Sequence, residues 1–504
     1  MKKTISILAV LSLLLSLGAC AVGKSPSGVP QEMVSGGGVI EFSGSSGREP
    51  VSPENPPAVP EDEGPSYAPI PSSSVPSYPG STAPESASPS SQPAPSSSPA
   101  SSQSPPPSGS ASIPSSSSVT PSSVSSSRSS SSEESKEEPR EEPPRPAGDE
   151  EVRAIWISYL DLGPLLKNQS KSAFTASIRR VLDDVEGLGL NTVYAQMRPF
   201  GDALYRSGYF PSSYLFTGEE GEIGSQPYDV LEIMVEEAHS RGLRIEAWLN
   251  PYRVRTSDKP LSDDNPAWDL LETGDAIRYD GGIYYDPGSP AARELILNGV
   301  REIVDNYDVD GIHFDDYFYP PNAPATFDAE TYEAADTGKS LAAWRREQVD
   351  ILVKEVYAAV GRDKVFGISP AGNNQNNYNA LYCDVEKWLT TPGYVDYICP
   401  QVYFGFNNSI KPYESTVKEF NDMISQSGVK LYVGLAAYKI GDAQQGGAEW
   451  VQNTDMMARQ VECARDLSRY GGFALYRYDS LFNPGGSVAG AVKKELANLI
   501  DVLS

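Results

Sequence analysis

Residues 192–198 read TVYAQMR, a short run of β-branched, aromatic and small side chains. An amphipathic stretch at 228–241 separates this run from a second one, RIEAWLN, at 244–250. A strand, a helix and another strand in this order are typical of the βαβ unit of a parallel sheet. The same alternation extends from residue 152 to the end of the chain, and it therefore sets the expected fold class.

Eight such runs predict eight strands, at 152–159, 192–198, 244–250, 311–317, 365–370, 397–403, 431–438 and 472–479. Helices are expected at 174–188, 228–241, 291–307, 341–360, 413–427, 450–470 and 488–503, with the weakest helical signal at 378–389. Glycine follows several of these helices, as expected for left-handed C-caps, at 189, 242, 361, 428 and 471. Strict alternation favours a closed (β/α)8 TIM barrel over an open doubly wound sheet. No glycine-rich nucleotide-binding loop follows the first run, which also disfavours the open sheet.

Composition restricts the folded domain to residues 151–504. Most of the 43 prolines and most of the serines lie in the first 150 residues, whereas nearly all aromatic residues follow Val152. The net charge of −27 leaves no basic excess to bind a phosphate backbone, so we expect no nucleic-acid partner. Cys383, Cys399 and Cys463 lack metal-ligand spacing, and we interpret them as isolated core residues.

The N-terminus has the pattern of an export signal. Basic residues at 2 and 3 precede an apolar run at 5–17, which is too short to span a membrane as a mature helix. The sequence LGAC at 17–20 resembles a bacterial lipobox, and it predicts a signal peptide at 1–19 and lipidation of Cys20. We therefore expect an extracytoplasmic protein anchored to the bacterial membrane; the alternative is a secreted protein with a chance cysteine.

Residues 20–150 are expected to form a disordered tether. They are rich in Ser, Pro, Glu and Gly and have no hydrophobic periodicity, so they cannot bury enough apolar surface to offset the entropy of ordering. Proline-rich chain extends by about 3.1 Å per residue, which would let the barrel reach from the membrane into the cell wall. A glycosylated, mucin-like stalk is the competing interpretation.

Polar residues occupy the last inward positions of several predicted strands. In a TIM barrel the active site forms at the C-terminal strand ends. Because side chains alternate between faces, one face of each strand carries the following residues: Gln196 and Arg198, then Glu246, Trp248 and Asn250, then His313 and Asp315, and then Gln401 and Tyr403. We expect these faces to converge on the barrel axis.

The sharpest motif is DGIHFDDYFYP at 310–320. Cleavage of a glycosidic bond requires two carboxyl groups that flank it, and Asp315 is well placed to be one of them. Asp316 points to the opposite face unless the strand has already ended, so the partner remains open among Asp316, Glu246 and Asp286. Alternatively these carboxylates cap helices or pair with arginine, or Asp315, Asp316 and Glu246 hold a divalent ion.

Aromatic side chains are unusually dense in the loops that follow the strands. Sugar rings stack on aromatic planes, so these residues suit a long cleft for several sugar units, although some of them will form loop cores. They are Tyr205, Tyr209, Phe210, Tyr214, Phe216, Tyr252, Tyr284, Tyr285, Tyr317, Phe318, Tyr319, Phe404 and Phe406. His239 lies at a predicted helix end, where we expect it to meet the helix dipole and to take no part in chemistry.

From about residue 152 to 504 the chain resembles the glycosyl-hydrolase-like family 10 barrels of bacterial envelope lipoproteins. The matching motifs are QMRPFGDALY at 196–205, AWLNPYRV at 247–254, the segment 310–320, and PQVY at 400–403. The resemblance implies hydrolysis of glycan strands, with peptidoglycan lacking stem peptides as substrate and Asp315 as a catalytic carboxylate. The family pattern places a histidine before AWLNP, where this chain has Glu246.

We therefore predict a monomeric glycoside hydrolase that uses Asp315, Asp316 and Glu246 and needs no cofactor or metal. Its predicted substrate contacts are Arg198, Asp202, Trp248, Asn250, Tyr252, Arg253, Asp286, His313, Gln401 and Tyr403. The alternatives are a barrel that binds wall glycan without cutting it, and a hydrolase of other α- or β-glucans.

Overall fold

The computed structural model describes residues 150–256, 260–320 and 323–504. The predicted signal peptide, the lipidated Cys20 and the tether up to residue 149 lie outside the described residues. Within the described ranges, no helix is both long enough and apolar enough to cross a membrane.

Eight parallel strands close into a barrel, which confirms the predicted TIM-barrel fold. In chain order the barrel strands are β1 (Val152–Ile157), β2 (Thr192–Arg198), β3 (Arg244–Leu249), β7 (Gly311–Phe314), β8 (Val365–Ile368), β9 (Tyr397–Ile398), β10 (Lys430–Ala436) and β11 (Tyr470–Tyr476). Each pairs with its neighbour along the chain, and β11 pairs with β1 to close the barrel.

Helices surround the barrel and also form parts of its loops. They are α1 (Tyr159–Leu166), α2 (Lys171–Gly187), α3 (Val230–His239), α4 (Ala267–Thr273), α5 (Pro290–Asn306), α6 (Ala329–Ala335), α7 (Leu341–Val360), α8 (Asn374–Asn379), α9 (Val385–Thr390), α10 (Tyr413–Met423), α11 (Gly447–Gln452), α12 (Met456–Arg465), α13 (Tyr478–Phe482) and α14 (Ala489–Leu503). A short antiparallel sheet, which the sequence did not predict, lies in the loop after β3; its strands are β4 (Arg253–Arg255), β5 (Ala276–Tyr279) and β6 (Gly282–Tyr285).

The two faces of the barrel strands pack in different environments. Outward side chains such as Val193, Ile245 and Ile312 are fully buried in the layer beneath the helices. The barrel interior is instead filled largely by aromatic rings, including Trp156 and Tyr194. Alternation of side chains along each strand, a period of two, separates these two cores.

Gly367 on β8 makes room for one of the interior rings. A Cβ atom at this position would lie 2.0 Å from the ring of Tyr397 on β9. Only a residue without a side chain lets that ring fill the barrel between the two strands.

Two local predictions need correction. The helix expected at 450–470 is divided into α11 and α12 by residues 453–455, which are not helical. Gly189, Gly242 and Gly361 have positive φ, as predicted for left-handed C-caps, but Gly428 and Gly471 do not. The helix α10 already ends at Met423, so Gly428 does not follow a helix end directly.

Candidate active site

Asp315 and Asp316 are the first two residues beyond the end of β7, which stops at Phe314. Side-chain alternation no longer applies there, so consecutive carboxyl groups can both face the barrel mouth. Asp315 contacts the β3 side of the mouth, where its carboxylate accepts hydrogen bonds from Asn250 Nδ2 at 2.5 Å and Trp248 Nε1 at 3.1 Å. Asp316 contacts the β9 side, where Gln401 Nε2 donates to its Oδ1 at 3.1 Å. The structure therefore brings Asp316, among the candidate partners, next to Asp315.

A chain of hydrogen bonds holds in place the side chains that donate to Asp315. The Asn250 side-chain oxygen accepts from Gln196 Nε2 at 2.7 Å, and Gln196 Oε1 in turn accepts from the Tyr159 backbone amide at 2.9 Å. The Tyr317 backbone amide adds a third donor to Asp315 at 3.1 Å. Three donors directed at one carboxyl group stabilise its ionised form.

The two carboxyl groups differ in their electrostatic surroundings. Burial, reinforced by the charge of Asp315, raises the pKa of Asp316 to about 7. Burial also raises the pKa of Asp315, but Arg253 and the three hydrogen-bond donors oppose that rise. Near neutral pH we therefore place the negative charge on Asp315 and the remaining proton on Asp316.

Arg253, which follows β3, supplies positive charge to this pair. Its guanidinium lies between the rings of Phe200 and Tyr317, 4.8 Å and 4.5 Å from their centroids. Its Nε donates to the Pro199 carbonyl at 3.1 Å. Stacking on two rings fixes the orientation of the guanidinium, so its charge remains directed at the carboxyl pair.

Tyrosine rings at or just beyond the ends of the last three barrel strands form a further wall of the mouth. The ring centroid of Tyr403 lies 5.8 Å from those of Tyr438 and Tyr476. Tyr476, at the end of β11, also contacts Trp156 at 5.9 Å. The sequence analysis selected Tyr403 but missed Tyr438 and Tyr476. An aromatic residue near the end of a strand is equally typical of a core position and of a binding site, so its sequence position alone does not distinguish the two.

Glu246 lies deeper in the barrel than the carboxyl pair. In the β3–β7 register, Glu246 pairs with Gly311 and Trp248 pairs with His313. Asp315 therefore lies two inward-facing layers closer to the mouth than Glu246 does. Glu246 is fully buried, and its Oε2 accepts from the Tyr397 hydroxyl at 2.5 Å. Burial raises the pKa of Glu246 to about 8. The structure thus does not bring Glu246 to the mouth as a partner of Asp315.

His313 belongs to the same buried array as Glu246. Trp156 Nε1 donates to His313 Nε2 at 3.1 Å, so the histidine proton resides on Nδ1 and is donated to the Tyr397 hydroxyl at 2.7 Å. Burial lowers the pKa of His313 to about 3, so the ring is neutral. His313 therefore takes part in a hydrogen-bonded array inside the barrel, and we assign it no contact with substrate.

Arg198 departs from the predicted alternation. The β2–β3 register shifts between Gln196 and Arg198, so Gln196 pairs with Trp248 while Arg198 pairs with Leu249, whose side chain belongs to the outer core. The prediction that Gln196 and Arg198 share a face is therefore wrong. Arg198 is fully buried with its guanidinium 4.5 Å from the Phe210 ring centroid.

Three other predicted substrate contacts are buried within the loops. Asp202 accepts from the Tyr214 amide at 2.8 Å, and Tyr252 packs edge-on against Phe318. Asp286 accepts from the Gly288 amide at 2.7 Å and from the Thr331 hydroxyl at 2.6 Å. These side chains shape the loops, and the structure does not bring Asp286 to Asp315.

Within the described ranges, no three His, Cys, Asp or Glu side chains are grouped so that they could hold a metal ion. Glu246 is held by Tyr397 below the mouth, so it does not complete a cluster with the two aspartates. His239 is the last residue of α3 and contacts Asp310 at 3.1 Å, consistent with its predicted place at a helix end.

A (β/α)8 barrel with two carboxyl groups and an aromatic wall at its C-terminal mouth defines the class of carbohydrate-active barrels. Residues 151–452 match the family model described as Glycosyl hydrolase-like 10, and the chain belongs to this family. The family resemblance seen in the sequence motifs is thus confirmed.

Two curated relatives carry the name glycosyl hydrolase. YngK of Bacillus subtilis is 37% identical over 321 residues, which are 58% of this chain and 62% of that protein. The chain therefore spans less than two thirds of the length of YngK. DigH of Escherichia coli K12 is 33% identical over 374 residues, which cover 66% of this chain and 84% of that protein.

Among solved structures, the chain is similar to the PgaB (BpsB) glycoside hydrolase domain of Bordetella bronchiseptica. The sequence identity is 15% and the TM-score is 0.44, with 68% of this chain and 98% of that one covered.

Proposed function

We propose that this protein is a glycoside hydrolase that cleaves the glycan strands of the bacterial cell wall. The observation that carries the proposal is the pair of adjacent carboxyl groups in different environments. Asp315 receives three hydrogen-bond donors, whereas burial and the Asp315 charge raise the pKa of Asp316 to about 7. One ionised and one protonated carboxyl group is the combination that glycosidic cleavage requires.

Asp316 is the general acid in this proposal. Gln401 donates to its Oδ1, which leaves Oδ2 to carry the proton toward the leaving-group oxygen. As the glycosidic bond breaks, positive charge develops on the ring oxygen and the anomeric carbon, and the Asp315 carboxylate stabilises that charge. Loss of the proton leaves two adjacent negative charges, and Arg253 beside the pair moderates their repulsion. A water molecule then bonds to the anomeric carbon and gives up a proton to Asp316, which returns the acid to its starting state. Carboxyl groups can perform this chemistry unaided, so the proposal includes no cofactor.

Cell-wall glycan as the substrate is supported by several independent features. Aromatic rings at the mouth suit the stacking of sugar rings, and the relatives YngK and DigH are named glycosyl hydrolases. The sequence also predicts a lipid anchor at Cys20 and a long tether, which together would hold the barrel outside the membrane and within reach of the wall. Because the family resemblance of the sequence motifs implies peptidoglycan strands without stem peptides, we propose these strands as the substrate.

The direct test is the release of new reducing ends from purified glycan strands stripped of peptides. We expect the wild-type protein to release them, and Asp316→Asn and Asp315→Asn to reduce the rate by about 100-fold or more, since general acid–base catalysis typically contributes about 10²- to 10⁴-fold. Asp308→Asn removes a carboxylate whose side chain is 89% exposed, and it serves as the matched control.

Two outcomes would contradict the proposal. Retention of strands by the protein without any new reducing ends would favour a wall-binding barrel. Cleavage of defined α- or β-glucans, but not of peptide-free wall strands, would favour a hydrolase of other polysaccharides. Unchanged release by Asp316→Asn would remove Asp316 from the mechanism.

A further inference from the structure

A cavity of about 570 Å³ opens on the same end of the barrel as the carboxyl pair. It lies between the loop that follows β9 and the loop that follows β10. Tyr403 and Phe404 line it from the first loop, and Lys439 and Trp450 line it from the second. Its volume falls within the range of about 300–1,000 Å³ that is typical of ligand sites.

The two loops are held together by a specific contact. Glu449 accepts hydrogen bonds from the Asn407 backbone amide at 3.1 and 3.2 Å and from the Asn407 side chain at 3.2 Å. A Cβ atom at Gly405 would lie 2.0 Å from the Glu449 carboxylate, so a larger residue there would displace this carboxylate from its present position. A defined contact between the two loops thus shapes the cavity. The Glu449 carboxylate on its wall is already hydrogen-bonded to Asn407.

Lys439 supplies the cationic group of the cavity, and its ammonium lies 5.8 Å from the centroid of the Tyr438 ring. Its ammonium donates to the Tyr403 carbonyl at 2.8 Å, which leaves two of its three N–H groups for another acceptor. Among the described residues, no carboxylate forms an ion pair with this ammonium. The side chain is half-buried, and burial lowers the pKa of Lys439. A half-buried cation without an acid beside it is stabilised by an anionic ligand.

The cavity is connected to the carboxyl pair through β9 and the residues after it. Gln401, which holds Asp316, is two residues before Tyr403, which lines the cavity. The Tyr403 ring packs against Tyr476 on the wall of the mouth. Tyr403 therefore borders both the wall of the mouth and the cavity that contains Lys439.

We propose that this cavity is a subsite for a sugar unit that carries a carboxylate, which pairs with the ammonium of Lys439. The proposal rests on the proposed function and makes it more specific, because it names a charged feature of the substrate. The chain has a net charge of −27, so an anionic glycan would be repelled by much of the surface, and a local cation would decide where it binds. Amide side chains on the cavity wall, such as Asn408 and Gln452, suit the sugar hydroxyls.

The test compares one glycan oligosaccharide in two forms, with its carboxyl groups intact and with them reduced to alcohols. Binding is measured by calorimetry to the full chain carrying Asp316→Asn, so that cleavage does not interfere. We expect the intact form to bind about 10-fold or more tightly than the reduced form, as expected for a charge-assisted contact. Because only the ligand changes, this comparison does not depend on how any Lys439 variant folds.

Lys439→Met in the same background should abolish this preference by weakening binding of the intact form alone, and Lys439→Arg should retain it. Lys411→Met is the matched control, since Lys411 lies in the loop after β9 but pairs with Glu419 at 3.0 Å. The subsite proposal would be overturned if the Asp316→Asn protein bound both forms with equal affinity. It would also be overturned if Lys439→Met weakened binding of both forms equally. If wild-type protein cleaves the reduced form as fast as the intact one, the hydrolase stands and the subsite fails. If neither form is bound or cleaved, both proposals fail.

Discussion

Asn250 Nδ2 lies 2.5 Å from Oδ2 of Asp315, and this hydrogen bond joins the third and fourth strands of the barrel at its mouth. Gln196 on the second strand accounts for the orientation of the amide, because its Nε2 donates to the Asn250 oxygen and leaves the Asn250 nitrogen for Asp315. Three consecutive barrel strands are thus linked through side chains to one carboxylate.

We expect Asn250→Ala to lower kcat/KM by about 10- to 100-fold, since a hydrogen bond to a charged group contributes about 1.5–3 kcal/mol. Loss of this donor weakens the stabilisation of ionised Asp315. Release of reducing ends from glycan strands measures the effect. Asn298→Ala, at a helix position where the side chain contacts Arg301, is the control and should behave as wild type. Equal rates for both variants would show that Asn250 does not support Asp315.

The pH dependence of kcat/KM should report the proton on Asp316. Burial and the Asp315 charge raise the pKa of Asp316 to about 7, so the acid is protonated below that pH and ionised above it. Activity should therefore be retained below pH 7 and fall about 10-fold per unit above it. A rate that stays constant from pH 6 to 9 would argue against Asp316 as the general acid.

Gln401→Ala provides a second, sharper test of the same group. Gln401 donates to Asp316 and so lowers its pKa, opposing the effect of burial. Removing this donor should move the alkaline limb of the pH profile to higher pH, even if the maximal rate falls. A limb that does not move, or that moves to lower pH, would contradict the assignment.

Glu246 should make the stability of the barrel depend on pH. Burial raises the pKa of Glu246 from 4.5 to about 8, so the folded state binds this proton more tightly than the unfolded state does. The stabilisation associated with this proton is present below about pH 4.5 and is lost as pH rises through 8. At about 1.4 kcal/mol per pKa unit, the loss amounts to a few kcal/mol.

Glu246→Gln should therefore flatten the decline in the free energy of unfolding between pH 5 and 8, as followed by urea denaturation. Glu272→Gln changes an exposed glutamate and should leave the wild-type slope. If the Glu246→Gln and wild-type curves run parallel, the buried carboxyl group does not carry this proton.

Gly367→Ala should destabilise the barrel. The added Cβ would lie 2.0 Å from the Tyr397 ring, and overpacking of a filled interior costs about 1–3 kcal/mol or more. Thermal unfolding should show a lower Tm than wild type. Gly490→Ala, where no heavy atom lies within 4 Å of the added Cβ, should leave Tm close to the wild-type value. Equal Tm values for the two variants would contradict the close packing of Tyr397.

The order of the barrel strands could be predicted from sequence because it depends on local pattern. Each βα unit carries its own apolar strand and amphipathic helix, and the commonest way to bury eight such units is a closed barrel. The short strands β4, β5 and β6 were not predicted, since a three- or four-residue strand inside a loop has too little pattern of its own.

The sequence by itself determined the barrel and the position of Asp315 at a strand end, because both follow from periodicity along the chain. Only the tertiary structure decided which carboxyl group accompanies Asp315. Side chains alternate between the two faces only while the strand continues with regular pairing. Because β7 ends at Phe314, Asp316 can face the mouth. The register shift after Gln196 directs Arg198 away from the barrel interior. The depth of Glu246 in the barrel likewise depends on the register between β3 and β7. Side-chain packing across the closed barrel determines this register, so no local sequence pattern predicts it.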